Sequence, residues 1–179
     1  MIIQNKLITK KGFIIRSISL DDCNEKYVNW LNDKEVNQYL ETRWCEQNIE
    51  SIKDFVRKQI ASEDSYLFAI CKQDGTHIGN IKIGPINNRY KHADISYFIG
   101  DKNMWNKGVA TDVIERICKF GFEELDLHKI AAGAYKEAVG SIKALENNRF
   151  FREAIFKDEV RIDDKFTDVY RFALLNGNY

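Results

Sequence analysis

Hydrophobic positions along the chain switch between two periods, and the switches mark the elements. Residues 13–19 (FIIRSIS) are a β-branched run that predicts a strand. Asp21 or Asp22 can cap the helix that follows, where Tyr27, Trp30 and Leu31 recur at helical spacing. A second helical stretch is expected near 34–40. Over 45–62, Ile49, Ile52, Phe55, Val56 and Ile60 keep a 3.6-residue period. "YLFAICK" reads as a strand, "QDGT" as a hairpin turn in which Asp-Gly tolerates positive φ, and "HIGNIKIGPI" as the return strand. In "ADISYFIG", Ala93, Ile95, Tyr97 and Ile99 alternate with Asp94, Ser96 and Phe98. The period then lengthens again: "VATDVIERICKFGF" places Val109, Val113, Ile114, Ile117 and Cys118 on one side of a helix. A short buried strand (HKIAAGAY), a helix (SIKALENNRF) and a closing hairpin over 152–175, with "DDK" near its turn, complete the chain.

Strand, two or three helices, three strands, helix, strand, helix and two strands make an α/β (α+β) arrangement, a mixed sheet with helices on it. Pro85 is the one proline, and no repeat, low-complexity tract or linker divides the sequence, so one domain over 1–179 is expected. Composition agrees: 179 residues, 44% hydrophobic and 30% charged, are ordinary for a domain with a real core.

Charge narrows the partners. With 27 basic and 27 acidic residues the formal net charge is zero, so no global basic field draws nucleic acid or an anionic membrane. Cys23, Cys45, Cys71 and Cys118 form no CxxC pair and share no zinc-like spacing with His77, His92 and His128; reduced, mostly buried thiols and no metal are expected. No secretory leader pattern is seen at the N-terminus, and no apolar run approaches the ~20 residues needed to span a bilayer. The cytoplasm is the expected location.

One stretch carries chemistry. In "YFIGDKNMWNKGVATDVIERI" a predicted strand runs through a polar loop into a predicted helix. The first amides of a helix are unpaired and carry partial positive charge. A glycine at the entrance lets the backbone approach an anion closely, which makes a phosphate cradle. Lys102 and Lys107 add positive charge. A glycine placed there for capping or packing is the competing account. Neither GxxxxGK[ST] nor GxGxxG is present.

On these residues the sequence resembles the GCN5-related N-acetyltransferases (GNAT), in the branch of ribosomal-protein N-terminal acetyltransferases and nucleotide-amino-sugar N-acetyltransferases. The family's pyrophosphate signature, (Q/R)-x-x-G-x-(G/A), falls on Trp105, Asn106, Lys107, Gly108, Val109 and Ala110, with Trp105 in place of Gln or Arg. "ADISYFIG" resembles the branch's "AEIGYWI", and "HIGNIKI" its "xIGxIxL". "SIKALENNRF" resembles the second signature, with Ser141 and Glu146 fitting, Ala138 where Asn is usual and Arg149 where Gly is usual. Over nearly the whole chain, the resemblance implies a single mixed, mostly antiparallel sheet of six to seven strands flanked by about four helices.

The resemblance also implies acetyl transfer from acetyl-CoA to a primary amine by direct attack. The backbone of Tyr97, Phe98 and Ile99, on a bulged strand that splays from the next, would receive the pantetheine arm and polarise the thioester carbonyl. Residues 105–111 (Trp105, Asn106, Lys107, Gly108, Val109, Ala110, Thr111) would hold the pyrophosphate, and Ser141 and Lys143 would add contacts to CoA. The tyrosine that many members use as general acid is replaced by Leu145. Asp94 as base and Ser141 as proton donor to the thiolate are the catalytic candidates; Glu41 and His92 are weaker bases, and a plain structural carboxylate or CoA contact is the alternative for the first two.

The acceptor pocket in this fold is built largely from the N-terminal helices, here 29–44. That segment resembles enzymes of surface-polysaccharide pathways, and Glu41 and Arg43 could grip a nucleotide-linked amino sugar; a loop salt bridge explains the pair equally well. A protein N-terminus, a polyamine and a non-catalytic acyl-CoA-binding module are the other options. A small-molecule amine is the expected partner, without nucleic acid or membrane, and a homodimer is allowed.

Overall fold

Antiparallel pairing of neighbouring strands builds most of one sheet. The computed structural model describes residues 1–178, and its strands are β1 (Leu7–Ile8), β2 (Ile14–Ser17), β3 (Tyr66–Cys71), β4 (His77–Ile83), β5 (His92–Ile99), β6 (Lys129–Tyr135), β7 (Phe151–Ile162) and β8 (Lys165–Leu175). Their order in the sheet is β1-β2-β3-β4-β5-β6-β8-β7. Every pair is antiparallel except β5–β6. A parallel pair needs a long crossover, and helix α4 (Val109–Glu123) supplies it.

Helices cover both faces. Helices α4 and α5 (Val139–Asn147) bury Val113, Ile114, Ile117, Cys118 and Leu145 against Phe68, Ile81, Ile95 and Ile130. On the opposite face α1 (Glu25–Asn32), α2 (Lys34–Asn37) and α3 (Ile49–Ala61) pack Tyr27, Trp30, Leu31, Ile52 and Val56 on Leu67, Ala69 and Cys71. The alternation along β3, Phe68 and Ile70 one way and Leu67, Ala69 and Cys71 the other, is the period-2 rule of a strand buried on both sides. Cys23, Cys71 and Cys118 are buried free thiols and Cys45 is an exposed one.

The mixed, mostly antiparallel sheet is the one expected, but it has eight strands and five α-helices among the described residues rather than six to seven and about four. The additional strand, β1, has two residues, too few for a sequence period; it exists through its partners Ile14 and Ile15. Helix α2 has four residues and a cap, Asp33, that also ends α1. Helix α1 is capped by Asn24, whose side chain accepts the Lys26 and Tyr27 amides, rather than by Asp21 or Asp22.

Asp22 serves a buried network instead. Its carboxylate accepts both guanidinium nitrogens of Arg16, at 2.8 and 2.6 Å, and the Ser19 amide. Burial works against its charge, but these partners hold its pKa below the usual carboxylate value. His77 lies alongside, with Nδ1 3.9 Å from Asp22 and Nε2 facing the oxygens of Asn80 and Gly79 at 2.7 and 3.0 Å. Two acceptors at Nε2 fix the proton there. Burial lowers the His77 pKa below its ordinary 6.5. The unfolded chain therefore binds a proton that the folded chain refuses, and stability falls as pH drops through about 6.5 toward the folded value. His77→Gln is expected to flatten the pH dependence of urea-unfolding free energy below about pH 6.5; an unchanged slope would rule His77 out as its source.

Arg149, where the family pattern has Gly, takes a left-handed backbone (φ 63°) just after α5. A non-glycine residue there costs roughly 1–2 kcal/mol. Arg149→Gly is expected to raise the thermal midpoint by about 2–4 °C per kcal/mol gained, read by calorimetry.

Candidate active site

Strands β5 and β6 run side by side for three residue pairs only: His92↔Lys129, Ala93↔Ile130 and Asp94↔Ala131. Beyond Asp94, β5 stays with β4 as far as Ile99, and β6 stays with β8 as far as Tyr135. The two strands therefore diverge into a V. Which backbone groups face it follows from parity. Gly84 donates to the Asp94 carbonyl and Gly100 to that of Ile78, so even-numbered residues of β5 face β4 and Ile95, Tyr97 and Ile99 face the V. Lys136 donates to Asp168 and Asn176 to His128, so Gly133 and Tyr135 face it from β6. The backbone of Phe98 turns toward β4, away from the gap, which separates it from Tyr97 and Ile99. The expected bulge is absent: the β4–β5 register is continuous from Ile95 to Ile99, and the divergence alone opens the gap.

The V points at the start of α4. Gly108 is its N-cap with φ 74° and no side-chain cap, and Asn106 is also left-handed (φ 58°). Among the described residues, no acceptor is bonded by the amides of Val109, Ala110 or Thr111, the first helical turn. The left-handed φ of Gly108 favours glycine, and an added Cβ would lie 2.5 Å from Lys11 Nζ, the end of a flexible side chain that could move aside. Trp105, in the family's Gln/Arg position, packs with the α1–α3 core and donates its indole N–H to the Ile99 carbonyl at 2.7 Å. It staples the loop to the strand end. Gly100 lets α1 close on the same point, since a Cβ there would lie 2.1 Å from the Trp30 ring. Asn148, at the end of α5, donates to the Thr111 carbonyl at 3.0 Å and so fixes α5 against the first turn of α4.

The charge around the loop differs from expectation. Lys102 is held by Asp33 at 2.7 Å and Glu35 at 2.5 Å, so its charge is spent on α1 and α2. Lys107 stays exposed, and Lys11 arrives from the β1–β2 turn to donate to the Lys107 carbonyl at 3.0 Å.

Ser141 and Tyr97 meet: the Tyr97 hydroxyl lies 2.8 Å from Ser141 Oγ. Burial pushes the Tyr97 pKa up to about 12, so it keeps its proton. Leu145, one turn further along α5, is fully buried. Asp94 sits at the apex of the V with both carboxylate oxygens within 3.1 Å of one Arg171 nitrogen. Lys143 is exposed on α5, and His92 is at the closed end of β5, away from the V.

On the other face, the 3₁₀ turn Glu41–Trp44 packs against Tyr135. Arg43 donates to the carbonyls of Leu40 (2.8 Å) and Arg161 (3.0 Å) and to the Tyr135 hydroxyl (3.0 Å), while its guanidinium lies over the rings of Trp44 and Tyr135. It braces the β7–β8 hairpin to this turn. Glu41 accepts the Tyr135 hydroxyl, which holds its pKa below the ordinary value, yet its side chain is 72% exposed. Tyr39 lies edge-on to Tyr135 and bonds the Glu137 carbonyl. Tyr135, Arg171, Asn148 and Lys11 carry no signal in the sequence, because each matters through a partner more than 30 residues away.

The divergence of β5 and β6 ends at a helix with no side-chain cap. The model of the acetyltransferase (GNAT) domain matches residues 13–150. The chain belongs to the GNAT acetyltransferases and is an acyl-CoA-dependent N-acetyltransferase. It is 28% identical over 171 residues to the uncharacterized N-acetyltransferase p20 of Bacillus licheniformis, covering 92% of this chain and 93% of that one. It is 24% identical over 164 residues to a spermidine N(1)-acetyltransferase of Vibrio cholerae, covering 90% and 92%. The crystal structure of a Vibrio cholerae spermidine N-acetyltransferase in complex with CoA and spermine superposes with a TM-score of 0.84 at 22% identity, over 93% of this chain and 97% of that one. No helix among the described residues is long and apolar enough to cross a membrane, and no group of His, Cys, Asp and Glu among them could hold a metal.

Arg43→Ala removes four hydrogen bonds, the longest to Glu41 at 3.5 Å, from a largely buried guanidinium. It is expected to cost about 2 kcal/mol in urea unfolding while leaving the KM for acetyl-CoA unchanged.

Proposed function

We propose that the chain acetylates a small aliphatic amine of the polyamine class, with acetyl-CoA lying in the V and its pyrophosphate on the 105–111 loop. The observation that carries the donor half is the end of the β5–β6 ladder at Asp94↔Ala131, aimed at the bare first turn of α4. Pantetheine would pair with the backbone of Tyr97 on one side and Gly133 on the other. An amide facing the gap would polarise the thioester carbonyl. The neutral amine attacks that carbonyl carbon, the C–S bond breaks, and the thiolate leaves on CoA. Holding the two reactants together supplies much of the rate, up to roughly 7–11 kcal/mol in well-oriented cases. Ser141, with the Tyr97 hydroxyl behind it, is the candidate donor to the thiolate in the absence of a tyrosine at Leu145.

The acceptor half rests on the other face. The expectation of a nucleotide-linked amino sugar came from the resemblance of residues 29–44 and from Arg43 as a phosphate contact, but Arg43 is bonded within the fold. What stays open to solvent is the Glu41 carboxylate beside the rings of Tyr39 and Tyr135. An ionised carboxylate with aromatic rings suits an alkylammonium. The similarity to spermidine acetyltransferases supports the same class. For the base, Asp94 is paired with Arg171, while Glu41 is the more exposed carboxylate but is bonded by Tyr135, Trp44 and Arg43. Asp94→Asn distinguishes them: a large loss of turnover at low pH would assign the base to Asp94, and a wild-type profile would remove it.

Thiol release from acetyl-CoA with spermidine, N-terminal peptides and nucleotide-linked amino sugars tests the acceptor, and preference for either of the last two would overturn the polyamine assignment. Gly108→Glu, which places a side chain and a negative charge in the cradle, is expected to abolish CoA binding in a folded variant. Unchanged CoA affinity would remove the cradle.

A further inference from the structure

The β1–β2 turn reaches across the molecule to the CoA loop. Lys11 Nζ lies 3.0 Å from the Lys107 carbonyl and at the mouth of Gly108, where a Cβ would be 2.5 Å from it. The turn is fixed from three directions. The Lys11 amide donates to Asp112 Oδ2 at 3.1 Å, and Asp112 is itself buried in the first turn of α4. Lys10 pairs with Glu115 one turn further along the helix. Within the turn, Gly12 donates to Thr9 and Thr9 to Phe13, each at 3.0 Å. The Lys11 stem therefore leaves a backbone tied to the helix that bears the cradle. Its ammonium has no carboxylate partner among the described residues, unlike Lys10, Lys72 and Lys102. A shallow groove of about 400 Å³, lined by Lys11, Phe13, Lys72, Gln73 and Asp74, opens beside it.

The geometry points to Lys11 as a phosphate ligand for the acyl donor, a cation delivered by the β1–β2 turn to the α4 cradle that makes the enzyme specific for phosphate-bearing thioesters. The inference rests on the assignment of the CoA pyrophosphate to the 105–111 loop. An ammonium placed beside Gly108, at the start of α4, adds a charge-assisted donor to helix amides aimed at the same anion. It also replaces the positive charge that Lys102 gives up to Asp33 and Glu35. The contact is lost from the Lys107 carbonyl when a phosphate oxygen offers a charged acceptor instead.

The test compares two acetyl donors, acetyl-CoA and S-acetylpantetheine, which lacks the phosphates. With acetyl-CoA, Lys11→Ala is expected to raise KM about tenfold with kcat changed less than twofold, and Lys11→Arg to restore most of the affinity. With S-acetylpantetheine, wild type and Lys11→Ala should perform alike. Lys58→Ala, which removes an exposed charge on α3 far from this turn, should behave as wild type with both donors. An unchanged KM for acetyl-CoA in Lys11→Ala, or an equal loss with both donors, would overturn the inference, the second result marking a purely structural lysine. Gly108→Glu separates the two levels. If it abolishes CoA binding while Lys11→Ala does nothing, the cradle stands and only Lys11 is removed; if it leaves CoA binding intact, the cradle assignment itself fails.

Discussion

Everything at the site depends on a ladder that stops after three pairs. Strands β5 and β6 each have one satisfied edge, β5 through β4 and β6 through β8, and those antiparallel partners continue after the parallel contact ends. Two strands held firmly on their outer sides and released from each other must part. Tyr97 on one arm and Gly133 and Tyr135 on the other turn their backbone groups to the gap, beside the Ile99 carbonyl that Trp105 takes. Unpaired backbone polar groups in a protein interior are costly unless something bonds them. An extended amide-bearing chain such as pantetheine is a natural partner.

The crossover makes the same point serve a second purpose. A parallel pair requires a helix between its strands, and that helix begins where β5 ends. Several ties hold its first turn in place: Trp105 on the Ile99 carbonyl, Trp30 against Gly100, Asn148 on Thr111 and the β1–β2 turn on Asp112. None of them consumes the amides of Val109, Ala110 and Thr111. The loop is fixed by side chains and carbonyls, and its donors are left for a ligand.

On the acceptor face the fold uses charge for architecture. Arg43 ties a 3₁₀ turn, a sheet strand and the β7–β8 hairpin together, and Lys102 ties the cradle loop to α1 and α2. A guanidinium that is 12% exposed and bonded to several internal acceptors presents little of itself to a substrate phosphate. The Glu41 carboxylate is the exposed group on this face, and Tyr135, Trp44 and Arg43 hold it in place.

The sequence by itself determined the periodic elements and the loop. Long amphipathic runs such as 49–61 and 109–123, the alternation in β5, and a glycine between a strand and a helix are local patterns, and local patterns survive in one dimension. Gly108, Trp105 and Ser141 were legible for that reason, with the family resemblance adding the donor. Helix α2 lies inside the helical stretch expected near 34–40, whereas strand β1 was too short to show a period. The tertiary structure alone decided which backbone groups of β5 face the gap, because parity depends on a partner strand. It alone decided that Phe98 turns away, that Arg43 and Lys102 are spent, and that Lys11 stands at a helix 96 residues distant. Charge in a sequence is a count, whereas charge in a fold is what remains after every nearby acceptor has been satisfied.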